Sequence, residues 1–163
     1  MKRLFLGLFV VLSVLGISQT DTAQIVVADR KNTPQTLTKP YVILISADGF
    51  RYDYAKKYHA KNILKLAEKG VSAKAIIPSY PSITGPNHYT MITGLFPSHT
   101  GFVDNYFYDK KRNDLFGMSM QSKISDGSWL GGIPLWSLAE QQGMLAASLF
   151  WVASNSDAGG TRP

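Results

Sequence analysis

A hydroxyl and a carboxylate are the first groups in this sequence with the types and placement to do chemistry. Tyr80-Pro-Ser-Ile-Thr-Gly-Pro-Asn-His-Tyr-Thr90 reads as a loop turning into a helix, with Thr84 at the N-cap and Pro86 in the first turn behind it. A helix start favours phosphate or sulfate through its free N–H groups and positive dipole end. A threonine there is either a cap or a nucleophile aimed at the bound anion, and Ser82 could cap as well. Asp48, at the end of an apolar run upstream, tips the balance. A carboxylate beside a hydroxyl does little alone, because threonine's pKa is too high for attack on a phosphorus ester at neutral pH. A zinc ion held by Asp48 and touching the Thr84 oxygen would supply the missing help by stabilising the alkoxide.

The elements that must position these groups follow from hydrophobic periodicity. Tyr41-Val-Ile-Leu-Ile-Ser46 is a short, β-branched apolar run that predicts a strand buried on both faces, closed by a turn at Ala47-Asp48-Gly49. Tyr52 to Lys69 has helical spacing, with Gly70 in position to end it, and Val71 to Ile77 predicts a second strand. Strand, helix and strand in that order make a βαβ unit, hence an α/β fold with a parallel sheet. In such a sheet Asp48 and Thr84 both fall at the carboxyl edge, where these folds bind ligands. Farther on, the spacing predicts a loop over Ser98 to Asn105, a surface hairpin over Tyr106 to Phe116 and a loop over Ser125 to Gly132. A helix is predicted over Pro134 to Gln142, ended by Gly143, then a third buried strand over Leu145 to Phe150 and a loop from Trp151.

Composition narrows the function classes. The 163 residues with 45% apolar content suit one domain with a real core. Lys2 and Arg3, the apolar run Leu4 to Ile17 and the small-x-small pattern Gly16-Ile-Ser18 predict a signal peptide cut after Ser18. The protein is then exported, periplasmic or secreted, with no stable membrane anchor after cleavage. Gln19 to Lys39 reads as a polar linker. The absence of cysteine rules out disulfides, a thiolate nucleophile and Cys-ligated zinc. The net charge of +6 is scattered, which favours small anionic substrates over nucleic-acid polymers.

Several ordered motifs together resemble one family. Val42-Ile-Leu-Ile-Ser-Ala-Asp-Gly-Phe-Arg51, Pro81-Ser-Ile-Thr-Gly-Pro-Asn-His-Tyr-Thr90, Thr93-Gly-Leu-Phe-Pro97, Ser98-His99 with Gly101, and Asp104-Asn105 are similar to the type I phosphodiesterases/nucleotide pyrophosphatases of the alkaline phosphatase superfamily. Gly131-Gly-Ile-Pro-Leu-Trp136 and Ala146 to Trp151 continue the match. The resemblance implies an alkaline-phosphatase-like parallel sheet flanked by helices and a hydrolase with two zinc ions acting through a phospho-threonine. Carried over by position, Asp48 is a ligand of one zinc, Thr84 is the nucleophile and bridges the metals, and Asn105 donates a hydrogen bond to a non-bridging phosphoryl oxygen. It implies further Asp and His ligands beyond Pro163. Residues 40–163 are therefore expected to be the N-terminal part of a longer domain, incomplete at its C-terminal end.

The sequence departs from the family pattern at Gly85, where nucleotide-cleaving members commonly carry an aromatic ring that stacks on the base. None of His59, His88 and His99 forms an i, i+4 pair or a short HxH, so loop-holding hydrogen bonds are the expectation for His88 and His99. Asp53 reads as a first-turn helix residue and Asp104 as a turn former. Tyr106, Phe107, Tyr108 and Phe116 suit either a leaving-group pocket or hairpin packing. The segment Trp151 to Gly160 carries no Lys or Arg, which leans toward diester or pyrophosphate substrates, a nucleotide among them, over a monoester dianion. The alternatives are a phosphomonoesterase or phosphonate hydrolase of the same superfamily, and an inactive chain with at most weak anion binding.

Overall fold

A computed structural model describes residues 29–163. The signal peptide and most of the linker expected from the sequence lie outside these residues. The linker's last part, from Asn32 to Lys39, is a hydrogen-bonded turn. Thr33 N–H and Thr36 Oγ1 both donate to Gly143 O, at 2.9 and 3.0 Å, and Asn32 Oδ1 accepts from Leu145 N–H at 2.7 Å.

The centre of the molecule is helix α3, Thr84–Thr93. Two short helices precede it, α1 (Tyr54–Lys57) and α2 (Lys61–Lys69), where the sequence predicts one continuous helix. The break falls at His59, whose φ of 51° leaves the helical region. Ile83, extended, precedes α3 as its N-cap, and Gly94 ends it in the left-handed conformation at φ 69°. Gly85, Pro86, His88, Tyr89 and Ile92 form its buried face, the i, i+3, i+4, i+7 stripe of an amphipathic helix. Helix α4, Pro97–Thr100, follows with proline at its first position and Gly101 closing it.

The predicted hairpin is present. β1 (Tyr106–Asp109) pairs antiparallel with β2 (Asp114–Gly117), Phe107 opposite Phe116. Asp109 Oδ1 accepts from Lys111 and Arg112 N–H groups at 2.7 and 3.1 Å, tightening the connecting turn. The core is aromatic. The Phe107 and Phe116 rings stack at 5.0 Å, Phe116 meets Phe102 edge-on at 5.3 Å, and Trp129 and Tyr89 close the cluster. A short α5 (Gln121–Ile124), a 3-10 turn at Gly127–Trp129 and α6 (Leu135–Gln141) complete the packing. A second 3-10 turn, Ala158–Gly160, docks on α6 through Ser137, whose hydroxyl donates to Ala158 O at 3.1 Å.

The three segments predicted as buried parallel strands are not strands here. Residues 41–46, 71–77 and 145–150 take part in no ladder, and the sheet of the described residues is the two-stranded hairpin. Tyr41, Val71 and Phe150 are 92%, 102% and 97% exposed. A strand exists through its partner's hydrogen bonds, and a run that is apolar on both faces needs cover on both. No described segment supplies either. No helix among the described residues is long and apolar enough to cross a membrane.

Candidate active site

Asp48 and Thr84 meet. Asp48 sits at the corner of a turn in which Phe50 N–H donates to Ala47 O at 3.2 Å and Gly49 adopts φ 66°, a conformation that suits glycine. Thr84 is the first residue of α3 rather than its cap, and its hydroxyl makes no capping bond. Oγ1 instead donates to Asp48 Oδ2 at 3.0 Å. The hydroxyl hydrogen thus points at the carboxylate, and the Oγ1 lone pairs face away from it.

The helix start offers fewer donors than its sequence suggests. Gly85 N–H is taken by Asn105 Oδ1 at 2.8 Å. Pro86 has no N–H, and Asn87 N–H donates to Ile83 O at 3.1 Å. Thr84 N–H is the one first-turn donor without a partner among the described residues. The Gly85 bond also orients the Asn105 amide. An N–H can be accepted only by the amide oxygen, so the Asn105 NH2 group is left as a free donor among the described residues. Gly85 has no room for a side chain: a Cβ there would lie 2.4 Å from Phe102 Cζ and 2.7 Å from Asn105 Oδ1.

Sequence reasoning expected His88 to hold a loop by hydrogen bonds, without naming its partners, and missed Asn87. His88 Nδ1 lies 2.8 Å from Thr84 O, and its Nε2 lies 3.0 Å from Ser46 Oγ. Asn87 Oδ1 accepts from Ser79 N–H at 3.0 Å, tying the preceding loop to α3. The signal was in the Pro86-Asn-His88 triplet, where a polar pair follows Thr84 at helical spacing.

The remaining sequence candidates go elsewhere. Asp53 pairs with Arg51 at 3.0 Å, and Asp104 accepts from Tyr106 N–H at 3.3 Å, a turn role. His99 lies in α4 beside Ser98, at 3.3 Å. Phe107 and Phe116 pack in the core, whereas the Tyr106 and Tyr108 hydroxyls pair with Ser119 and Asn113 at the surface.

The donor set fits part of a metal site. Asp48 and Thr84 present two hard oxygens side by side, suited to one flank of a zinc ion, and zinc needs about four ligands. Among the described residues no group of three or more His, Cys, Asp or Glu is gathered to complete it. His88 is not a spare ligand, since both ring nitrogens already have partners.

Comparison with known proteins gives one consistent answer. The model of the family "Type I phosphodiesterase / nucleotide pyrophosphatase" matches residues 42–163. The chain is 38% identical over 138 residues to ectonucleotide pyrophosphatase/phosphodiesterase family member 3 of Bos taurus, covering 83% of this chain and 16% of that one. It is 42% identical over 123 residues to an uncharacterized pyrophosphatase/phosphodiesterase of Schizosaccharomyces pombe, covering 75% and 25%. It is 39% identical over 132 residues to the venom phosphodiesterase of Naja atra, covering 80% and 16%. The chain therefore spans a quarter or less of the length of these relatives. Among solved structures it matches murine ectonucleotide pyrophosphatase/phosphodiesterase 5 with a TM-score of 0.66 and 27% identity, over 71% of this chain and 31% of that one. An inactive threonine-to-alanine variant of that enzyme, in complex with AMP, matches with a TM-score of 0.67 and 27% identity, over 72% and 32%. The fold is thus the alkaline-phosphatase-like α/β fold that the motifs imply, although the three segments expected as its parallel strands do not form strands in residues 29–163. The chain belongs to the type I phosphodiesterase/nucleotide pyrophosphatase family.

Proposed function

We propose that this chain carries the nucleophile of a zinc-dependent hydrolase that cleaves phosphodiester or pyrophosphate bonds through a phospho-threonine at Thr84. The observation that carries the proposal is the Thr84 hydroxyl held 3.0 Å from the Asp48 carboxylate. Thr84 Oγ1 gives up its proton to solvent and attacks phosphorus in line, the new O–P bond forms as the bond to the leaving oxygen breaks, and the leaving group departs carrying that electron pair. Water then adds to the same phosphorus, Thr84 Oγ1 leaves and regains its proton. Asn105 donates through its free NH2 to a non-bridging oxygen, where charge builds in both steps. Asp48 and Thr84 would hold the zinc on one flank, and the two zinc ions, once bound, lower the cost of the threonine alkoxide.

Small phosphate esters, nucleotides among them, are the substrates this reading favours. A similar enzyme binds AMP and is inactive when one threonine becomes alanine. The relatives include an ectoenzyme and a venom enzyme, which supports export of this protein. The segment Trp151 to Gly160 holds no Lys or Arg to neutralise a monoester dianion, so diesters are preferred. The test is turnover by the Thr84→Ala variant of the protein from its native source. The expected result is a loss of kcat of at least about 10³-fold, as for other excised nucleophiles. Retained turnover would remove Thr84 from the mechanism.

A further inference from the structure

The contact between Asp48 and Thr84 is one of two parallel rungs. Ser46 ends the run 41–46 and Asp48 opens the turn that follows it, two residues on. Thr84 and His88 are four apart on α3, one turn along one face. Four helical residues advance about 6 Å, so the two α3 side chains stand one turn apart. Both rungs close: Asp48 to Thr84 at 3.0 Å and Ser46 Oγ to His88 Nε2 at 3.0 Å.

The second rung has a defined sense. A carbonyl oxygen only accepts, so His88 Nδ1 carries the hydrogen that faces Thr84 O at 2.8 Å, and in the neutral ring Nε2 accepts from the Ser46 hydroxyl. The ring is 8% exposed and meets Trp151 edge-on at 5.7 Å, which fixes its plane. Residues 41–46 make no backbone hydrogen bond to another described segment. The two rungs are therefore the hydrogen bonds that seat the segment carrying Asp48 on α3.

We propose that Ser46 and His88 are a positioning pair that sets Asp48 in register with Thr84. This rests on reading Asp48 and Thr84 as the reactive pair. Through its two nitrogens, His88 references the Asp48 limb to the backbone of the nucleophile itself, so displacement of one is felt by the other. Neither Ser46 nor His88 touches the reacting atoms.

The test compares Ser46→Ala, His88→Phe and the double variant in the protein from its native source, with Ser46→Thr as the variant that keeps the hydroxyl. Each single loss is expected to lower kcat about 10- to 100-fold, the range for supports behind a reactive shell, with KM changed less than about twofold. The double variant should be no worse than the more damaged single, since one rung is removed either way. Ser46→Thr should recover most of the kcat lost in Ser46→Ala. Imidazole nitrogen chemical shifts give a readout independent of turnover. His88 should show the Nδ1-protonated tautomer in the parent, and Ser46→Ala should keep that tautomer, held by Thr84 O, while moving the Nε2 resonance as it loses its hydrogen-bond partner. Wild-type kcat in Ser46→Ala, additive losses in the double variant, or a fall in melting temperature alone would overturn the inference. If His88→Phe does not fold, the Ser46→Ala and Ser46→Thr comparison decides it. Should Asp48→Asn and Thr84→Ala turn over normally, the reactive-pair reading itself fails. Should both lose turnover while Ser46→Ala does not, only the positioning role fails.

Discussion

Thr84 is a poor nucleophile by its own chemistry, and its surroundings in the fold are what make it a candidate. Its hydrogen is pinned toward Asp48, its neighbour's N–H has been spent on Asn105, and Asn105 in consequence presents an unpaired NH2. Acceptor and donor of that one amide are thus assigned separate tasks, which a single substitution can separate. Asn105→Asp keeps an oxygen for Gly85 N–H and removes the donor. We expect kcat to fall about 10²- to 10³-fold, the usual cost of losing one donor to a developing oxyanion, while the melting temperature stays near that of the parent. Steady-state kinetics beside thermal melts would check this, and an unchanged kcat would assign Asn105 to structure alone.

At the scale of elements, α3 does most of the positioning. One face carries Thr84 and His88 toward the Asp48 limb, and the buried stripe sets its height against Phe102 and the hairpin. Gly85 is the tight point of that packing. Gly85→Ala would drive a methyl group into Phe102 and Asn105 Oδ1, so a destabilisation of about 1–3 kcal/mol is expected, together with a displaced Asn105. Denaturant melts of the variant would measure it, and parent-like stability would mean the contact relaxes freely. Much of this was legible in the sequence. Proline behind Thr84, the Gly94 stop and the aromatic alternation of the hairpin are local signals, and local signals survive into the structure. What was illegible depended on distant partners. Thr84 was expected to cap its own helix, but its hydroxyl found Asp48, 36 residues away, and left Ile83 at the cap position. The helix expected through Tyr58 and His59 broke because His59 takes a positive φ, which apolar spacing does not encode. The three apolar runs were strand-like in pattern, and a pattern cannot report whether a neighbouring strand is there to pair with.

The described molecule is unevenly consolidated. From α3 onward an aromatic cluster, with Tyr89, Phe102 and Phe116 fully buried, holds the helices to the hairpin. The hairpin's outer side is tied down by charges. The Lys123 ammonium pairs with Asp114 and holds its carboxyl below the usual carboxylate range. Arg112 lies over the Trp129 ring at 4.4 Å. Residues 41–46 and 71–77, by contrast, leave Val42, Ile45, Val71 and Ile77 to solvent. One titration reports on the consolidated part. Burial pushes the Tyr89 phenol up to about 12 from its ordinary 10.0. A group with a raised folded-state pKa stabilises fully below its unfolded value and loses that contribution as pH rises through the folded one. Stability should therefore decline between pH 10.0 and about 12 through this group. The Tyr89 hydroxyl has no partner among the described residues, so Tyr89→Phe should fold and flatten that decline. Melting temperature against pH for parent and variant would show it, and identical slopes would place the alkaline sensitivity elsewhere.

The central claim is that Thr84 becomes covalently bonded to phosphorus. Its most direct test is to mix the protein from its native source with a chromogenic phosphodiester in the presence of zinc, quench in acid within the first turnovers, and map the adduct by peptide mass spectrometry. The account predicts one phosphoryl-bearing group on the peptide containing Thr84, absent from the Thr84→Ala variant. Turnover with no adduct at Thr84, or with an adduct on another residue, would contradict it.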